Sequence, residues 1–154
     1  MQKTHMKQNQ LLSKGGTEMS YWTHVNGSIR IDHIRFEEED TLDFDEIFGK
    51  EWDYGEWDKA EEEYCLPSGS EGSLKKSVWV NPELHSIPAY TVTIFGDLRD
   101  VETEHEFEEW LNNVAKLFES IMIRSLIFRV DNGYGQSFIY TWNGERIIKT
   151  EVNK

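Results

Sequence analysis

The chain has 154 residues, of which 16 are basic and 29 acidic, for a formal net charge of −13. That length suits one domain able to bury a core without disulfide or metal, and an aromatic share of 13% argues against a disordered chain. The charge opposes direct binding to DNA, RNA or anionic membrane, surfaces that are met by Lys and Arg.

A single cysteine, Cys65, permits no intrachain disulfide and points to a cytoplasmic setting in a bacterial host cell. No apolar run approaches the ~18 residues of a membrane-spanning helix. Residues 1–18 lack an apolar segment followed by a small-residue cleavage site, so no secretory signal is read. Lys14-Gly15-Gly16-Thr17-Glu18-Met19 back-translates to a GGAGG element a few nucleotides before an ATG. Two readings follow: translation starts at Met19 on a bacterial ribosome-binding site, or residues 1–18 are a disordered tail. Starting at Met19 removes Lys3, Lys7, Lys14 and Glu18, together +2, and leaves −15 on residues 19–154. That remainder reads as a single α+β domain with an acidic insertion at about 37–72.

Residues 22–35 alternate, with Val25, Ile29, Ile31 and His33 on one face and Arg30, Asp32 and Ile34 on the other. This is a strand, with a bulge or bend expected at Asn26-Gly27. Thr41 is the expected N-cap of a short helix, followed by Asp43, Asp45 and Glu46 in its first turn. Leu42, Phe44, Ile47, Phe48 and Trp52 then recur at roughly helical spacing across Gly49. A second short helix is expected from about Gly55 to Tyr64, presenting Trp57, Ala60 and Tyr64. Pro67 to Ser73 is a loop by composition. Leu74–Val80 and Ala89–Phe95 read as strands.

Residues 102–121 carry the clearest helical stripe: Phe107, Trp110, Leu111, Val114, Leu117, Phe118 and Ile121. Arg124–Asp131 is a strand with Leu126, Phe128 and Val130 inward, and Asn132-Gly133 signals a hairpin. Gln136–Trp142 returns as its partner with Phe138, Tyr140 and Trp142 on one face. Asn143-Gly144 marks another turn before a last short strand, Arg146–Val152. The order implies an α+β fold with a mostly antiparallel sheet and helices on one face. A ferredoxin-like variant with added C-terminal strands is the first choice among topologies that share this order.

Acidic residues are concentrated. Residues 37–72 hold fifteen acids against Lys50 and Lys59, a net of −13, and Asp97 to Glu109 hold seven acids against Arg99, a net of −6. Concentration of like charge costs self-repulsion that dispersed acids would avoid. Helical neighbours three or four apart lie ~5–6 Å from one another, while DNA carries one charge per ~1.7 Å of axis. An acidic face can therefore imitate nucleic acid toward a groove built for it; the plain alternative is a solvated face that keeps the chain soluble. The expected partner-binding residues are Glu37, Glu38, Glu39, Asp40, Asp43, Asp45, Glu46, Asp53, Glu56, Asp58, Glu61, Glu62 and Glu63, with Tyr54 and Trp57 as aromatic anchors. Phe44, Phe48 and Trp52 are expected to be buried.

No catalytic motif, cofactor motif or metal site emerges. Calcium loops starting at Asp43 or Asp53 fail, because Ile47 and Phe48, or Gly55 and Trp57, stand where oxygens or glycine are needed. His5, His24, His33, His85 and His105 form no zinc pattern. His24 and His33 are an odd number apart on one strand and so face opposite ways. His105 and Glu109 suit a helix-surface contact, and Cys65 has no basic neighbour to activate it. Gly69-Ser70-Glu71-Gly72 lacks the spacing and setting of a nucleophile elbow, and Gly133-Tyr134-Gly135 sits in a hairpin; both read as turns.

Met19 to Trp22 (MSYW), His24-Val25-Asn26-Gly27, SGSEGSL at 68–74 and YTVTIFGDLRD at 90–100 together resemble a family of small uncharacterised acidic proteins. Those are carried by phages, prophages and mobile elements of Gram-positive bacteria. The resemblance spans much of residues 19–142 and transfers no catalytic residue. It implies an anti-defence context, in which such proteins inhibit CRISPR or restriction nucleases. The leading expectation is thus a non-enzymatic phage or prophage accessory protein that blocks a basic, nucleic-acid-handling host protein through a DNA-mimic-like surface. A cytoplasmic immunity protein that neutralises a toxin is the alternative, followed by a small enzyme using paired carboxylates. The sequence leaves the oligomeric state open.

Overall fold

Alternation of buried and exposed side chains along the three longest strands decides the architecture. The computed structural model describes residues 20–33, 42–51, 65–80, 88–100, 103–117 and 122–152. Its elements are β1 (Trp22–Asp32), α1 (Phe44–Phe48), β2 (Lys75–Val80), β3 (Ala89–Arg99), α2 (Thr103–Leu117), β4 (Met122–Asp131), β5 (Ser137–Trp142) and β6 (Ile147–Val152). The six strands form one sheet in the order β2-β3-β1-β4-β5-β6, and every neighbouring pair is antiparallel. The expected α+β class and antiparallel sheet are therefore present.

One face of the sheet carries the core. Val25, Ile29 and Ile31 of β1 meet Val92, Ile94 and Leu98 of β3, Leu126, Phe128 and Val130 of β4, and Phe138 and Tyr140 of β5. Both helices pack on this face. Ile47 and Phe48 from α1 and Phe107, Trp110, Leu111 and Val114 from α2 are buried against it, with the Phe107 ring edge-on to Phe128 and Tyr140. Burial of each large side chain contributes ~1.5–3 kcal/mol, so this layer holds the fold.

Three expectations are corrected. β1 has no bulge at Asn26-Gly27, because its register with β3 is unbroken from Trp22↔Arg99 to Asp32↔Ala89. Gly27 serves close approach instead: a Cβ there would lie 2.2 Å from Phe128 Cδ1 and 2.4 Å from the Ile127 carbonyl. The irregularity falls in β4, where Arg30 pairs with Ser125 but Ile31 with Ile123, leaving Arg124 as the extra residue. Arg124 turns to the uncovered face and binds Asp32 at 2.6 Å. The N-cap of α1 is Asp43, not Thr41; its carboxylate accepts from the Asp45 and Glu46 amides at 2.9 and 3.1 Å. β3 runs four residues past Phe95, to Arg99, because β1 supplies partners for Gly96 through Arg99. The helix expected at Gly55–Tyr64, Trp52, and residues 1–18 lie outside the described residues.

Candidate functional site

The acidic segment enters and leaves the fold at one built position. Lys50 and Cys65 form a parallel bridge, and the Leu66 amide donates to the Lys50 carbonyl at 2.9 Å. Residues 52–64, with six acids against Lys59, thus join two points already hydrogen-bonded to each other. Leu66 is fully buried on the far side of this junction, and Phe48 on the near side. Trp110 of α2 locks it from below, its indole N–H donating to the Phe48 carbonyl at 2.8 Å in a buried position.

Of the expected partner-binding residues, Asp43, Asp45 and Glu46 are described, and all three are exposed. Asp43 caps α1. Asp45 pairs with Lys76 of β2, whose ammonium also donates to the Gly49 carbonyl at 3.0 Å. The Lys76 side chain is only 10% exposed, so this contact fastens the end of α1 to the sheet edge. Gly49 closes the helix at φ 94°, a conformation that favours glycine. Glu51 adds a second clamp, accepting from the Lys76 amide at 2.9 Å and facing Lys75 at 3.7 Å. Asp43 and Asp45 therefore do structural work at the base of the segment, while Glu46 points to solvent. Glu37, Glu38, Glu39, Asp40, Asp53, Tyr54, Glu56, Trp57, Asp58, Glu61, Glu62 and Glu63 lie outside the described residues. Phe48 is buried and Phe44 half-buried against the core, as expected.

The second acidic cluster divides in two. Asp97 binds His24 Nδ1 at 2.6 Å, Asp100 accepts from Ser70 Oγ at 2.9 Å, and Glu108 accepts from the Tyr140 hydroxyl at 2.9 Å and pairs with Lys149. Glu106 and Glu109 are exposed on α2. They line a shallow groove with Trp110 and Asn113 from the same helix and Cys65 and Pro67 from the segment's exit. Two acids of the second cluster are thereby brought to the point where the first segment rejoins the fold. Sequence reasoning missed this meeting; the available signal was that Glu106 and Glu109, three apart, both fall off the apolar stripe of α2.

Other chemistry is sparse. Among the described residues no group of three or more His, Cys, Asp or Glu is disposed to hold a metal ion. His24 projects from the uncovered sheet face, and the His33 amide donates to the Pro88 carbonyl at 3.1 Å. The His105 side chain is outside the described residues. No helix of the described residues is long and apolar enough to cross a membrane. Comparison with protein families, curated proteins and solved structures finds no match.

Proposed function

We propose that this chain is a non-enzymatic accessory protein of a phage or prophage that occupies a basic, nucleic-acid-handling host protein of the CRISPR or restriction type. The observation that carries the reading is the pinned base of the acidic segment. The Lys50–Cys65 bridge joins the residues that flank 52–64, and Cys65 lines a groove with Glu106 and Glu109 of α2. In this reading the acids of residues 52–64 act together with Glu106 and Glu109 at that junction. Such a concentration opposes folding through self-repulsion and gains its value when Lys and Arg of a partner neutralise it. Glu37 to Asp40, Glu46, Asp53, Glu56, Asp58 and Glu61 to Glu63 supply the charge, with Tyr54 and Trp57 as anchors. The β2-β3-β1-β4 order with helices between β1 and β2 and between β3 and β4 fits a ferredoxin-like variant extended by β5 and β6.

The test is capture from host lysate by the full chain, compared with a variant in which Asp53, Asp58, Glu56, Glu61, Glu62 and Glu63 become their amides. The expected result is one nucleic-acid-handling protein that the parent chain retains, that salt releases, and that the amide variant fails to hold. The captured protein should also lose nucleic-acid binding or cleavage when the chain is added. Equal capture by both chains, or a captured protein whose activity is unaffected, overturns the reading.

A further inference from the structure

The face of the sheet turned away from the helices is uncovered among the described residues, and its composition is unlike the rest of the chain. Among the described residues, five of the eight exposed large hydrophobic side chains, Trp22, Trp79, Phe95, Met122 and Ile127, stand on it. Trp79 is 54% exposed, Phe95 45% and Ile127 53%. The five are spaced across the face with Asn26, Ser28, Thr91 and Thr93 between them, the mixed apolar and polar composition that protein interfaces carry. The charges of this face are five bases (Lys75, Arg99, Arg30, Arg124, Arg129) and three acids (Asp32, Asp97, Asp131), and Glu51 and Glu71 reach Lys75 and Arg99 from its margin, so the charges balance. In a chain of net charge −13, this is a surface that a second, equally acidic copy can approach without repulsion.

The charges are also arranged for self-recognition. On β1, Arg30 lies three residues to one side of Gly27 and His24 three residues to the other. His24 is flanked in register by Asp97 on β3 and Asp131 on β4. A two-fold axis crossing the strands at Gly27 lays each Arg30 over the other copy's His24, between the two aspartates. Isologous contacts of this kind need a self-complementary patch. Strand lengths of six to eleven residues, at ~3.4 Å per residue and ~4.8 Å between strands, give a footprint of about 800 Å². A face of that extent is on the scale of a standard stable interface, which buries ~800 Å² of accessible surface per partner. The helices, the Lys50–Cys65 junction and Glu106 and Glu109 stay on the outer sides of the pair.

We propose that the uncovered sheet face docks a second copy of this chain, face to face about a two-fold axis that runs across the strands. The pairing is independent of the acidic-segment reading and leaves the Lys50–Cys65 junction, Glu106 and Glu109 accessible in each copy.

The test is sedimentation of the full chain over a concentration series. The expected species has twice the 18.2 kDa chain mass. Phe95→Lys with Ile127→Lys should convert it to monomer with an unchanged far-UV spectrum. Arg30→Asp alone should raise the dimer dissociation constant about tenfold through charge repulsion, and adding Asp97→Lys should recover most of the loss, which no purely structural damage would do. A chain that stays monomeric at every concentration overturns the proposal. So does a dimer that survives these variants but is broken by Val80→Pro, which would place the contact at the β2 edge.

Discussion

Trp110 Nε1 donates to the backbone carbonyl of Phe48 at 2.8 Å, and this bond joins α2 to the last residue of α1 inside the core. A helix of five residues cannot hold itself in water; α1 stands because its two ends are fastened by Asp43, Lys76 and this indole. The acidic segment departs three residues after Phe48, so its anchorage depends on the same contacts.

Replacing Trp110 by Phe keeps most of the packing but leaves the Phe48 carbonyl without its donor. The expected loss is about 0.5–1.5 kcal/mol, the net contribution of one intramolecular hydrogen bond. Urea unfolding measures it, and a change too small to resolve would contradict the assignment.

Asp43→Ala should cost about 1 kcal/mol as a lost N-cap, while Asp43→Ser should retain most of the stability. Thr41→Ala should have little effect. The reverse ranking in thermal melts would restore Thr41 as the cap.

Gly27→Ala should destabilise by about 1–3 kcal/mol, since its methyl would enter the Phe128 ring and the Ile127 carbonyl. Combining it with Phe128→Leu should cost less than the two single changes added together, because the smaller side chain makes room. Strict additivity would show that the two residues do not share the space.

Lys76 and Asp45 should be coupled by about 1 kcal/mol in a double-mutant cycle with Lys76→Met and Asp45→Asn. The lysine is largely buried, which lifts the pair above an ordinary surface ion pair. Asp45→Asn should leave partner capture intact, whereas loss of capture would move Asp45 from the base of the segment to the recognition surface.

Much of this fold is legible in the sequence where periodicity acts alone. The stripe Phe107, Trp110, Leu111, Val114 marks α2, and the alternation Phe138, Tyr140 marks β5, because each needs only its own side chains to define a face. Features that depend on a neighbour are not. Gly96-Asp97 has turn composition, yet β1 pairing carries β3 through it to Arg99. Gly27 looks like a bend and is a seat for Phe128, and the true bulge at Arg124 leaves no compositional mark. Within the candidate site, the acid count is visible by reading; that Asp45 pairs with Lys76 while Glu106 and Glu109 join the Cys65 junction follows from the tertiary arrangement of α1, β2 and α2.

The central claim is that the acidic segment is a recognition surface. Its most direct measurement is the salt dependence of affinity between the full chain and the host protein it captures, for the parent chain and for a variant with Glu61, Glu62 and Glu63 changed to Gln. The account predicts that affinity falls steeply with added salt, as exposed charge pairs are screened, and that the variant binds more weakly with a shallower dependence. Affinity that is flat in salt and unchanged in the variant would contradict it.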